Sequence, residues 1–210
     1  MKKKNKVKAL AAVGALCAMC VCGSMFAYLT DEDSGGTRTF TVGTVEGTLT
    51  DAPSDDLTII PLQTVPAAPK VELKSGSADA VVFLEFESPK DTIVVCDANG
   101  QKGTAALQDV FTVNSIDSTN WVKLSGVAGS NGTAAVYGYK TKMSAGNETS
   151  ALFTDLQFVN ATEAASGNSY TVTLKADLIQ ADNLGVTTTG TMDETTLKSI
   201  YTKFVNQNPV

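Results

Sequence analysis

Residues 169–182, SYTVTLKADLIQAD, carry the most regular pattern in the chain. Tyr170, Val172, Leu174, Ala176 and Leu178 share one parity, and Thr171, Thr173, Lys175 and Asp177 share the other. Successive side chains of a strand point to opposite faces, so this is a half-buried strand, apolar face inward and polar face outward. A strand this regular is expected at a central place in a sheet.

The same logic extends upstream. AVVFLEFESP (80–89) sets Val82, Leu84 and Phe86 on one face and Val81, Phe83, Glu85 and Glu87 on the other. That strand is expected to be covered on both sides at its start and on one side at its end. TAAVYGYKTKMSAG (133–146) puts Ala135, Tyr137, Tyr139 and Thr141 opposite Val136, Gly138 and Lys140. TNWVKLSG (119–126) adds a strand whose Trp121, the single tryptophan, is expected in the core. ALFTDLQFVN (151–160) supplies another strand or edge segment, and ALQDVFTVNS (106–115) fits a strand or a short helix. LTIIPLQTVPAAPK (57–70) is interrupted by Pro61, Pro66 and Pro69, which places it at a sheet edge or in a loop. DAPSDD (51–56) is a turn.

DTIVVCDANGQKGTAAL (91–107) reads as a strand leading into an Asn99-Gly100 hairpin turn. Asp97 and Asn99 begin a series that a calcium loop would complete with further ligands and a distal Glu; those are missing, so the turn reading stands. At the other end, TMDETTLKSIYTKFVNQ (191–207) has Thr191 followed by Glu194 and then Leu197, Ile200, Tyr201 and Phe204 at helical spacing. This predicts a capping box at Thr191 and an amphipathic helix near 192–206. Many short strands separated by Gly, Pro and Asn turns make the expected fold all-β: an antiparallel, jelly-roll-like β-sandwich with minor helical additions, including that C-terminal helix.

Residues 1–27 read differently. Lys2, Lys3, Lys4, Lys6 and Lys8 precede an almost unbroken apolar run from Ala9 to Ala27, the pattern of a secretory signal peptide. Cleavage is expected between Ala27 and Tyr28, with a retained membrane anchor as the competing reading. Residues 28–39 then form a flexible lead and 40–210 a single domain. Cleavage leaves about 183 residues, enough for one sizeable core. It moves the formal charge from −6 (16 Lys+Arg against 22 Asp+Glu) to −11 (11 against 22). So acidic a chain repels phosphate backbones and anionic lipid, which argues against nucleic-acid or membrane-surface partners.

The chemistry available is narrow. The chain has no histidine, which removes Ser-His-Asp and Cys-His arrangements and histidine zinc sites. Three of its four cysteines lie in the signal, leaving Cys96 alone in an apolar strand, where core packing is expected. Carboxylates gather in turns (Asp31, Glu32 and Asp33; Asp51, Asp55 and Asp56) as solvated charges do. A glycosidase built from two carboxylates on facing strands is compatible with these residues, and an exported protease or hydrolase is a poor rival without histidine. No catalytic residue, metal ligand or cofactor is assigned.

The junction AYLTDEDSGGTRTFTVGTVEGTL (27–49) resembles that of the TasA/camelysin family, exported through a SipW-type signal peptidase. There an aromatic residue, a short acidic spacer and a Gly/Thr-rich patch lead into a strand of form F-T-x-G-x-x-x-x-x-L, here Phe40, Thr41, Gly43 and Leu49. YGYKTKMSAGNETSALFTDLQF (137–158) and TVTLKADLIQADNL (171–184) resemble segments of small exported proteins of clostridial type. The resemblance implies a secreted protein of the cell surface or biofilm matrix that forms fibres by β-strand addition. The donor strand would carry Phe40, Val42, Val45 and Leu49, with a phase change beside Gly43 consistent with a bulge. The partner would be another copy of the chain or a related matrix subunit. Some camelysins are described as metalloproteases; lacking histidine, this chain departs from that, and protease activity is not carried over. The alternative is a monomeric adhesin or carbohydrate-binding module, which requires exposed aromatics around Tyr137 and Tyr139.

Overall fold

In chain order the strands are β1 (Gly47–Thr50), β2 (Thr64–Pro66), β3 (Lys70–Leu73), β4 (Ala80–Glu87), β5 (Lys90–Ile93), β6 (Ala106–Asp109), β7 (Phe111–Asn114), β8 (Trp121–Ala128), β9 (Ala135–Tyr139), β10 (Asp155–Phe158) and β11 (Thr173–Gln180). One helix follows, α1 (Glu194–Gln207). These come from a computed structural model that describes residues 45–50, 59–162, 168–182 and 184–207. The expectations for the signal segment, the Ala27/Tyr28 junction, Phe40, Val42, Gly43 and the 51–56 turn lie outside the described residues.

Among the described residues all strand pairings are antiparallel. The main sheet has the order β11-β4-β9-β8. Facing it are the β1-β3 pair and the sheet β2-β10-β7. The segment leading into β10 bonds to β3, where Leu73 N–H donates to Asn147 O (2.9 Å) and Thr149 N–H to Val71 O (2.9 Å), and Ala67 N–H donates to Thr154 O (3.2 Å) beside the β2–β10 pairing. The first core fills the space between the layers. It takes Val82, Leu84 and Phe86 of β4 with Trp121 and Tyr137 on one side, and Val71, Leu73, Phe111, Leu156 and Phe158 on the other. The second core lies on the outer face of the main sheet, where Val81, Phe83, Leu124 and Val136 meet Leu197, Ile200 and Tyr201 of α1. The fold is therefore all-β and antiparallel, a sandwich with one C-terminal helix.

Several expectations change in detail. The regular strand 173–180 is β11, and it lies at the end of the main sheet rather than centrally. Its Leu174, Ala176 and Leu178 are only half-buried. Clean alternation marks a strand whose two faces differ in polarity, whereas the inner strand β4 shows a continuous apolar run. Asp177, expected outward, is buried, and so is Glu85, because α1 covers that face. ALQDVFTVNS forms two strands, β6 and β7, which belong to different sheets and meet at Val110. There Val110 N–H donates to Pro89 O (3.0 Å) and Phe111 N–H to Ser88 Oγ (3.1 Å). The 151–160 segment holds β10, the middle strand of its sheet. Cys96 lies beyond the end of β5 and is half-exposed rather than packed in the core.

The helix begins two residues later than a cap at Thr191 would place it. Asp193 is the cap: its Oδ1 accepts from Thr196 N–H (2.8 Å) and its carbonyl from Leu197 N–H (3.1 Å). Glu194, freed from a capping box, instead accepts from Ser125 N–H of β8 (2.8 Å) and ties the helix start to the sheet edge.

Gly138 of β9 is the helix seat. A Cβ there would stand 3.1 Å from Leu197 Cδ1 and 3.2 Å from Phe83 Cε1. Gly138→Val is expected to destabilise the fold by about 1–3 kcal/mol through overpacking, and Gly138→Ala by less. Urea unfolding read by far-UV circular dichroism checks both; an unchanged midpoint for the valine variant would show that α1 does not rest on this position.

Candidate functional site

Beneath α1, four elements bring charged and polar side chains together. β4 contributes Glu85, β11 contributes Lys175 and Asp177, the β8–β9 turn contributes Ser130, and α1 contributes Tyr201. The antiparallel register places Lys175 directly opposite Glu85 and Asp177 opposite Phe83, so all three polar residues share the face that α1 covers.

Glu85 is the centre. Its Oε1 accepts from Tyr201 Oη (2.5 Å), Ser130 N–H (3.0 Å) and Lys175 Nζ (3.4 Å), and its Oε2 accepts from Ser130 N–H (3.0 Å) and Oγ (3.1 Å). Lys175 Nζ also pairs with Asp177 Oδ1 (2.9 Å) and donates to Ser130 Oγ (2.9 Å). The turn closes tightly over the carboxylate: a Cβ on Gly129 would stand 2.5 Å from Glu85 Oε2. One pleat further along, Glu87 accepts from Asn131 Nδ2 and Thr133 Oγ1, so two β4 carboxylates hold one turn.

Exposure separates the members. The carboxylates of Glu85 and Asp177 are 4% and 5% exposed, whereas the Lys175 side chain is 46% exposed. Burial would raise the Glu85 pKa, but the bonds from Asp177, Tyr201 and Ser130 and the charge of Lys175 outweigh it and hold it at about 2. Burial, then the neighbouring Glu85 carboxylate, pushes Asp177 up to about 6 against the pull of Lys175. Burial and the Glu85 carboxylate likewise push the Tyr201 phenol up. Burial disfavours the Lys175 ammonium, yet its bond to Asp177 and the two carboxylate charges raise its pKa.

Two carboxyls with affinities driven apart are the pattern of an acid–base pair. Here both are roofed by α1 and the turn, and solvent reaches Lys175 and, in part, Ser130. The arrangement is suited to joining four elements rather than to receiving a substrate. Sequence reasoning passed over it because Glu85 and Asp177 were assigned to a solvent face. The available signal was parity: Glu85 follows AVVFL directly, and Tyr201 falls within the apolar stripe of the helix.

The other candidate residues have separate places. Val45 and Leu49 are half-buried and pack on the first core, and Leu49 pairs with Val71. Tyr137 is 5% exposed within the core, and Tyr139 stands edge-on to Trp121 at 4.9 Å. Asp97 serves its turn, its Oδ1 accepting from Asn99 N–H and Gln101 N–H (both 2.8 Å), with Gly100 at φ 79°. Beside that turn Val95, Cys96, Lys102 and Gly103 line an open groove of about 370 Å³. Among the described residues no three His, Cys, Asp or Glu side chains are grouped to hold a metal, and no helix is long and apolar enough to cross a membrane. Compared with family models, curated proteins and solved structures, the chain matches none.

Proposed function

We propose that this chain is a secreted structural protein of the extracellular matrix or cell surface, related in its mode of export to the TasA/camelysin family. It assembles by addition of its N-terminal segment to the sheet edge of the next copy. The observation that supports this best is the place of β1. Among the described residues it is a four-residue strand paired only with β3, over Gly47↔Leu73 to Thr50↔Lys70, and it follows directly on the residues that carry the junction motif. Among the described residues its outer edge has no strand partner, and an open edge is a template for another chain. Head-to-tail addition of this kind does not close, so it yields filaments. The adhesin alternative drew on free tyrosines at 137 and 139, and both rings are engaged in packing.

The test is electron microscopy with size exclusion of protein starting at Tyr28, beside protein starting after Thr50 and beside a full mature chain carrying Phe40→Asp and Val42→Asp. Filaments from the first and not from the other two are expected. If all three remain monomeric at high concentration, self-assembly by this route is wrong.

A further inference from the structure

We propose that Glu85 and Asp177 hold a single proton between them, and that this proton latches α1 and the Gly129–Thr133 turn to the main sheet, so that their seating weakens as the surroundings pass from mildly acidic to neutral. The inference does not depend on polymerisation.

It stands first on an inventory of donors. Both oxygens of Glu85 are supplied, by Ser130, Tyr201 and Lys175. Asp177 Oδ1 is supplied by Lys175. Asp177 Oδ2 is buried and has no donor in reach. A buried carboxylate oxygen without a donor is costly when charged. As an acid the same oxygen carries its own proton and becomes a donor, and the Glu85 carboxylate, held on the same Lys175 Nζ at 3.4 Å against 2.9 Å for Asp177, is the acceptor on that side.

Charge balance leads to the same place. β11 offers one cation, Lys175; β4 offers Glu85, with Glu87 turned to Asn131 and Thr133; α1 offers the neutral Tyr201 phenol; the turn offers only the Ser130 hydroxyl. With both acids ionised the cluster carries one uncompensated negative charge, and with one proton it is neutral. The raised affinity of Asp177, near 6, and the depressed one of Glu85, near 2, agree with a proton resident on Asp177.

The sign follows from linkage. A carboxyl whose folded pKa is raised contributes stability that is fully present below its unfolded value of about 4 and is lost as pH rises through about 6. From pH 8 to pH 5 the seating equilibrium gains about tenfold. Glu85 acts oppositely: its contribution is present above about 4.5 and falls away toward 2. Seating is therefore strongest in the mildly acidic range. The chain has no histidine, so few other groups titrate near pH 6 to obscure the effect.

The experiment is amide hydrogen exchange by mass spectrometry on the full chain at pH 5 to 8, corrected for intrinsic rates and read in residues 129–134 and 194–207. Opening is expected to rise about tenfold between pH 5 and pH 8 in the unaltered protein and to be flat in Asp177→Asn. Equal protection at both pH values, or an unchanged slope in Asp177→Asn, overturns the proposal. Carboxyl carbon NMR of the unaltered chain is the second arm and needs no variant. An Asp177 midpoint near 6, moving higher in Lys175→Met, supports the shared proton; a midpoint near the ordinary value of about 4 sinks it.

Discussion

Glu85→Ala is expected to lower the unfolding free energy by about 3–5 kcal/mol, as much as deleting a large core side chain. The reason is what the carboxylate leaves behind. Tyr201 Oη loses its acceptor inside the second core, Ser130 loses the acceptor for both N–H and hydroxyl, and Lys175 keeps Asp177 and the Ser130 hydroxyl. A space also opens under Gly129, whose approach to the Glu85 carboxylate leaves no room for a Cβ. Glu85→Gln separates charge from shape, because it keeps the volume and an acceptor oxygen while removing the anion; a loss about half as large is expected. Chemical denaturation monitored by circular dichroism and by Trp121 fluorescence reads both variants. Equal, small losses would mean that the cluster is solvated in the folded protein and holds nothing in place.

Trp121→Ala is expected to cost about 3–5 kcal/mol and to open the far end of the first core. The indole is 1% exposed, its Nε1–H donates to Ser150 O (3.1 Å), and its ring stands edge-on to Tyr139. Ser150 in turn donates to Asp117 Oδ2 (2.6 Å), which also accepts from Asn120 Nδ2 (2.8 Å). Loss of the indole therefore loosens the 117–120 turn as well as the core. Trp121→Phe retains most of the apolar volume and loses the N–H bond, so it is expected to cost roughly 1–2 kcal/mol. Since Trp121 is the single tryptophan, circular dichroism rather than fluorescence must follow these variants. A destabilisation below about 1 kcal/mol for the alanine variant would show that this end of the sandwich repacks freely.

Much of the architecture could be read from periodicity. The strands at 80–87, 121–128, 135–139 and 173–180 and the helix near the C-terminal end all follow from apolar spacing. Strand order did not, because hydrogen-bonded neighbours such as β4 and β11 are joined by nothing that a local pattern records. Asp177 illustrates the limit for the site: alternation states which residues share a face, and only the docking of a distant helix decides whether that face meets water. Asp193 illustrates it for boundaries, since Thr191 and Asp193 both fit a cap and the choice rests on which one the bend of the chain aims at the first free N–H groups. Cys96 illustrates it for burial, because an apolar string can run past the end of its strand.

The distances along the chain between bonded partners carry a consequence for how the molecule comes to be folded. Glu85 meets a residue 90 positions later in Lys175 and one 116 positions later in Tyr201. The inner strand β4 of the main sheet thus has one flank that cannot exist until residue 180 is available, and a roof that arrives later still. Closing such long loops costs entropy before any contact compensates, and topologies of this type fold on the millisecond-to-second scale. A nascent chain that ends short of β11 has β4 without one of its two partners. The long central strand, most apolar of all, is then the segment that waits longest for cover.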